Sequence, residues 1–165
     1  MTKRMNSLTR ERLVELLEYK PETGEFVRRL SRGGQKAGAI AGTLDSHGYV
    51  QIKIDKRLYL AHRLAWLYVN NEWPFDVVDH INGIPVDNRI KNLRAVSKQV
   101  NCQNRRRASA DSRTGYLGVT QTKYGFVAAV WKDGKSISLG THATPQIAHE
   151  IYRKAKRELH EGCTL

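Results

Sequence analysis

Asp79 and His80 stand side by side in Val78-Asp79-His80-Ile81-Asn82-Gly83, and Asn88, Asn92-Leu93-Arg94 and Asn101 follow closely. No other stretch constrains the fold as strongly. Neighbours on an extended strand point to opposite faces. A chain that uses both side chains together is therefore expected to break regular strand geometry at this pair, and Gly83 and Pro85 fit the loop that would do so. The chemistry is equally restrictive. A carboxylate and carboxamide carbonyls are hard oxygen donors for a divalent cation. An imidazole beside them takes a proton from water near neutral pH.

The chain before this stretch reads as short elements. Leu8, Leu13, Leu16 and Leu17 recur at near-helical spacing, which predicts a helix over Leu8 to Tyr19 with Thr9 as N-cap. Pro21 to Gly24 turns the chain into a strand, Glu25 to Arg28, and the Gly- and Ala-rich Ser31 to Gly42 reads as loop. Gly48 to Ile54 and Arg57 to Leu60 alternate apolar and polar residues around Asp55-Lys56, the pattern of a hairpin. Ala61 to Val69 is apolar on most sides and is expected to be a buried helix. Ser97 can cap a helix that carries Asn101 and runs on through Asn104-Arg105-Arg106-Arg107.

Past Ala108 the pattern changes to strands: Tyr116 to Thr120, Phe126 to Trp131 and Ser136 to Gly140, with Asp133-Gly134 a strong hairpin signal. A last helix is expected from Pro145 to His160, with Thr144 as N-cap and Gly162 just past its end. Its apolar stripe would be Ile147, Ala148, Ile151, Ala155 and Leu159. This is a three-stranded sheet packed on one helix. Trp66, Trp73 and Trp131 read as packing residues, and Cys102 as a small buried one.

Lys plus Arg is 28 against 16 Asp plus Glu, a net charge of +12. That balance favours a polyanionic partner through phosphate contacts and counterion release; the plainer alternative is a basic protein of another kind, such as a ribosome-associated one. Cys102 and Cys163 form no CxxC pair, which excludes a cysteine-rich structural zinc site and argues against a disulfide framework. There is no membrane-length apolar run or signal-peptide pattern, so a cytoplasmic protein with no membrane partner is expected.

The run VDHINGIPVDNRIKNLRAVSKQVNCQN resembles the core of the HNH endonucleases, in the branch found in phage-encoded and homing-type enzymes. The resemblance implies a two-stranded hairpin followed by one helix around a single metal. Asp79 matches a metal ligand, His80 the general base that activates water, and Asn92 the central Asn that braces the site. Asn101 falls where the third motif position supplies the second metal ligand, Asn here in place of His. Oxygen donors of this kind suit Mg²⁺, with Mn²⁺ as the alternative, better than zinc. Asn88 is expected to support the loop around the site. His62, in an AHRLAW segment that resembles a recurring family pattern, is either a residue that touches phosphate or shapes the site, or a hydrogen-bonded structural histidine. Arg105, Arg106, Arg107 and Arg94 are candidate phosphate contacts. If the chain is phage-encoded, its compartment is the bacterial cytoplasm.

The C-terminal segments Tyr116-Leu117-Gly118-Val119, Ala128-Ala129, Leu139-Gly140-Thr141 and Ala148 to Ala155 resemble the plant ethylene-response-factor DNA-binding domain, which implies a sheet that contacts duplex DNA. Leu117, Thr120 and Thr122 stand where that family has arginines. Lys123 and Tyr124, in the turn between the first two strands, are the better-placed DNA contacts.

The expected class is α+β, a small ββα-metal nuclease core with an N-terminal helix and β-hairpin extension, joined to a three-stranded antiparallel sheet packed on one helix. The expected divisions are an extension over 1–46, a nuclease domain over 47–107, a linker over 108–113 and a DNA-binding domain over 114–165. The function expected is metal-dependent cleavage of double-stranded DNA, as a nick or a double-strand break, with a monomer favoured. The alternative is a non-catalytic, sequence-specific DNA-binding regulator that retains a nuclease fold.

Overall fold

The computed structural model describes residues 8–160 and Cys163; the expected cap at Gly162 lies outside them. The chain divides into two compact units between Ser97 and Lys98. The class is α+β.

In the first unit, Thr9 caps helix α1 (Arg10–Leu16), its side chain accepting from the Arg12 N–H. The helix is shorter than expected. Leu17–Lys20 leaves it as strand β1 and pairs antiparallel with β2 (Glu25–Arg28), Tyr19 opposite Phe26. Leucines at this spacing satisfy either element, and the pairing edge of β2 decides for the strand. Ile40–Ala41, at the end of the expected loop, adds β3 to the other edge of β2. Next, β4 (Thr43–Leu44), β5 (Val50–Ile54) and β6 (Arg57–Leu60) form a second antiparallel sheet in chain order. The expected turn joins β5 and β6: Asp55 and Lys56 both have positive φ, 44° and 70°, as a two-residue hairpin with the right twist requires.

Helix α2 (Ala61–Asn70) buries Ala61, His62, Leu64, Ala65 and Leu67 and ends on Asn71 in the left-handed conformation. Leu64 and Leu67 join Leu13, Leu17, Tyr19, Phe26, Ile52, Ile54, Val78 and Leu93 in one apolar core. Val78 belongs to β7 (Val77–His80) and Leu93 to β8 (Leu93–Val96), a separate two-stranded hairpin. The hairpin is therefore held to α2 through its apolar residues. Arg63 adds a hydrogen bond from α2 to the Asp76 carbonyl, 2.9 Å, just before β7.

The second unit starts with α3 (Lys98–Gln103). It stops there and does not run through the arginines: Asn104 N–H turns back to the Asn101 carbonyl at 3.0 Å and the chain then loses helical form. The C-terminal sheet has the order β11-β10-β9. Its strands are β9 (Val119–Thr122), which starts later than expected, β10 (Gly125–Lys132) and β11 (Lys135–His142). Asp133 and Gly134, both with positive φ, make the expected turn. Helix α4 (Pro145–Leu159) opens on Thr144, whose side chain accepts from Ile147 N–H, with Pro145 in the first turn.

Two expectations about α4 and the tryptophans are corrected. The buried face of the helix is Ala148, Tyr152 and Lys156, with Ala155 and Leu159 of the expected stripe packed against the same core, while Ile147 is exposed. Tyr152 packs so closely under Gly118 that a Cβ there would lie about 2.1 Å from its ring, and that contact sets how the helix is rotated. Trp131 is also exposed, because odd-numbered β10 residues alternate away from the Ala128–Val130 core.

Candidate active site

Strand register runs unbroken through the central pair, Asp79 opposite Arg94 and His80 opposite Leu93. The expected break at Asp79-His80 does not occur; the chain leaves the strand only at Ile81, and Gly83 N–H closes a turn onto the His80 carbonyl at 2.9 Å. A break is unnecessary because the two side chains have different partners. Asp79 receives its cross-strand neighbour, with Arg94 Nε at 3.1 Å and Nη2 at 2.9 Å from Oδ2. His80 meets Asn88, its Nε2 3.2 Å from Oδ1.

That contact decides the tautomer. Asn88 Nδ2 donates to the Val86 carbonyl, which identifies the other end of the amide as the oxygen. An amide oxygen only accepts, so His80 Nε2 carries the proton and Nδ1 is the basic nitrogen. Burial lowers the His80 pKa, opposed by the Asn88 hydrogen bond and the charges of Asp79 and Asp87. The ring is therefore neutral at pH 7.

His62 stands edge-on to His80, ring centroids 5.0 Å apart, and Tyr49 lies against both, at 5.5 Å and 5.9 Å. It is buried, and its Nδ1 has no hydrogen-bond partner. Burial, helped by repulsion from His80 and Arg63, pushes its pKa down to about 3. Between that value and the unfolded one of ~6.5, the unfolded chain binds a proton that the folded chain refuses. Stability contributed by neutral His62 is thus complete above pH 6.5 and lost as pH falls toward 3, by up to about 1.4 kcal/mol per pH unit. Urea unfolding at pH 7 and pH 5 is expected to show a smaller loss in His62→Gln than in the parent protein. Equal losses would mean that His62 takes a proton in the folded state.

The loop between β7 and β8 is held by a network of its own side chains. Asn92 is buried in a one-turn 3₁₀ helix, Ile90–Asn92. Its Oδ1 accepts the Asn82 N–H at 3.0 Å, and its Nδ2 donates to Asn82 Oδ1 at 3.0 Å and to the Asp87 carbonyl at 2.8 Å. Asn82 also donates to Asp87 Oδ2. Arg89 grips the Asp87 carboxylate from the other side and, with Asn82, holds its pKa down at about 2.

Sequence reading missed the part that four residues play in this assembly. Asn82, Asp87 and Arg89 look like ordinary turn residues until the network is seen. The fourth, Tyr19, comes from the distant β1, its hydroxyl donating to the Asn88 carbonyl at 2.7 Å, with burial raising its pKa to about 12. Gly24, in the β1–β2 turn, lies so near that a Cβ would sit about 2.5 Å from Arg89 N. The run Pro21-Glu22-Thr23-Gly24 signalled the turn, in which Gly24 has positive φ, but nothing local showed what the turn would touch.

The remaining candidates lie in the second unit. Asn101 is half-buried on α3 and the neighbouring Cys102 is exposed, contrary to expectation. Arg105 to Arg107 follow the helix in irregular chain, anchored by a hydrogen bond from the buried Lys156 ammonium to the Arg105 carbonyl. Lys123 and Tyr124 occupy the β9–β10 turn, Tyr124 80% exposed with the Lys123 ammonium 4.8 Å from its ring centre.

Among the described residues, no three His, Cys, Asp or Glu side chains cluster as a metal site. The donor chemistry is that of an oxygen site: Asp79 is a buried carboxylate that already stabilises a cation, the Arg94 guanidinium. A hard dication fits it, and a thiophilic one does not.

Residues 59–103 match the family model of an HNH endonuclease. The matched segment takes in α2, the β7–β8 hairpin and α3, so His62, Asp79, His80, Asn88, Asn92 and Asn101 all fall inside it. No curated protein matches the chain. A solved structure described as "DNA binding and cleavage by the HNH homing endonuclease I-HmuI" is similar at 18% identity with a TM-score of 0.42, over 89% of this chain and 88% of that one. No helix among the described residues is long and apolar enough to cross a membrane.

Proposed function

We propose that the protein is a metal-dependent DNA endonuclease in which His80 Nδ1 is the general base. The observation that carries this reading is the His80 Nε2 to Asn88 Oδ1 contact in a buried site. It holds a neutral imidazole in one tautomer, with its second nitrogen as the base, inside a segment that matches an HNH family model. His80 takes a proton from an in-line water. The water oxygen forms the new bond to phosphorus, the bond to the 3′ oxygen breaks, and that oxygen takes a proton from solvent, leaving a 5′ phosphate and a 3′ hydroxyl. Asp79 would hold one Mg²⁺, or Mn²⁺ in its place; Asn101 is given the second-ligand position by the family correspondence alone. When bound, the metal supplies electrostatic stabilisation of charge on the phosphate and the leaving oxygen.

Arg94, placed on Asp79, orients that carboxylate, a role different from the phosphate contact expected from sequence. Asn92 braces the loop that presents Asn88 to His80. Arg105, Arg106 and Arg107 are offered to the DNA backbone from a segment that Lys156 anchors. The C-terminal sheet, by its resemblance to the ethylene-response-factor domain, adds duplex contacts through Lys123 and Tyr124, where an exposed tyrosine beside a lysine suits the sugar-phosphate surface. Double-stranded DNA is thus the partner.

The test is cleavage of supercoiled plasmid in Mg²⁺ and in EDTA across pH. Cleavage in Mg²⁺ that EDTA abolishes is expected. Because burial lowers the His80 pKa, the rate should hold as pH falls through ~6.5 and drop only below it. An acid limb centred above pH 7, or none down to about pH 4, would rule out His80 as the base. Tight binding without cleavage on any DNA would favour a regulator.

A further inference from the structure

We propose that the first unit carries a second DNA site, a basic groove that grips two or three backbone phosphates apart from the reacting one. It rests on the DNA reading above. The groove, of about 320 Å³, lies between α1, the end of β2 and the β5–β6 turn. Its cationic residues are Arg12, Arg28, Arg32 and Lys53, and its one acidic residue is Asp55. None of the lining residues belongs to the β7–β8 hairpin or its loop.

The charges are already sorted. Arg12 holds both oxygens of Asp55, Nε at 2.9 Å and Nη2 at 3.0 Å, and Arg32 approaches the same carboxylate at 3.7 Å. Arg28 and Lys53 have no ion pair among the described residues. Asp55 thus pairs with Arg12, which Glu15 also holds at 2.7 Å, and lies near Arg32, so four cations and two carboxylates leave 4 − 2 = +2 at the groove. Its frame is rigid, since Lys53 is registered opposite Leu58 and the Arg28 N–H is bonded to the Ala39 carbonyl at 2.9 Å. Leu30, 53% exposed, lies beside the cations.

Cations at fixed spacing with an exposed apolar edge suit a sugar-phosphate backbone, each phosphodiester supplying one negative charge and each deoxyribose an apolar surface. Such contacts carry no base information; they set affinity and register. The hairpin would then be positioned on the duplex partly by a site that takes no part in proton transfer.

The experiment is binding of a short DNA duplex in EDTA, where nothing is cut, at a series of salt concentrations. The groove variant is Arg28→Gln/Arg32→Gln/Lys53→Gln. A control of equal charge change, Arg153→Gln/Lys154→Gln/Arg157→Gln, lies on exposed positions of α4, and thermal unfolding checks both folds. Each phosphate contact contributes about 0.9 to the slope of log K against log salt. The groove variant is expected to be shallower by roughly 2–3 and to bind at least about tenfold more weakly at low salt. The control should change the slope by less than about one. Equal slopes for groove variant and control would overturn the groove while leaving DNA binding intact. A parent protein without salt-dependent binding would overturn the DNA reading along with it.

Discussion

His80→Ala is expected to lower Mg²⁺-dependent plasmid cleavage by about 10²–10⁴-fold, the range that a positioned general base contributes, while duplex binding in EDTA stays close to that of the parent. The size follows from the site's construction. Asn88 meets Nε2, which makes Nδ1 the basic nitrogen, and His62, with its ring centre 5.0 Å away, cannot replace it: pushed to a pKa of about 3, it is too weak a base. Truncation also opens a gap against His62 and Tyr49, so His80→Gln serves as the fuller-sized control. Both variants should lose cleavage, and added imidazole should restore part of it to His80→Ala, which has the space, more than to His80→Gln. Cleavage within about threefold of the parent in both variants would leave His80 without a catalytic role.

Asn92→Ala is expected to cost about 2–4 kcal/mol of folding stability, read by urea unfolding. Three hydrogen bonds go at once, and the Asn82 N–H and Asp87 carbonyl, both on half-buried residues, lose the buried Asn92 amide as their partner. An unsatisfied buried polar group costs about 1–3 kcal/mol. The effect should reach the chemistry, because the same loop carries Asn88 to His80. Asn92→Asp discriminates further. It keeps the oxygen that accepts from Asn82 but loses the donor, and it sets a second carboxylate beside Asp87, so its instability should grow as pH rises through the carboxylate range. A loss below about 0.5 kcal/mol in Asn92→Ala would show that the loop is held by the Arg89–Asp87 pair and Tyr19 alone.

What was legible in the sequence was local. Thr9 and Thr144 cap helices because a side-chain oxygen reaches an N–H two or three residues on, whatever surrounds it. Asp55-Lys56 and Asp133-Gly134 turn hairpins because their own backbones accept positive φ. The elements that sequence misread were those where local preferences tie. Leu17 to Lys20 carries leucine spacing that suits a helix and side chains that suit a strand, and only the partner β2 breaks the tie. The arginines after Gln103 continue a plausible helix, yet the Lys156 ammonium holds the Arg105 carbonyl out of it from fifty-one residues away.

The candidate site divides along the same line. Residue types drew attention to Asp79 and His80 with the carboxamides that follow them, and the resemblance to the HNH endonucleases, not composition or spacing, gave Asn92 and Asn101 their expected roles. Sequence also set the sign of the partner's charge, since 28 cations against 16 anions is independent of folding. Tertiary structure alone decided that Asp79 faces Arg94, that His80 presents Nδ1, that His62 is too desolvated to share its work, and that Tyr19 and Gly24 brace the loop. Which nitrogen is basic and which carboxylate is neutralised depend on contacts between residues 8 and 15 positions apart, in a loop that Tyr19 braces from 69 positions away. Only the packed chain brings those residues together.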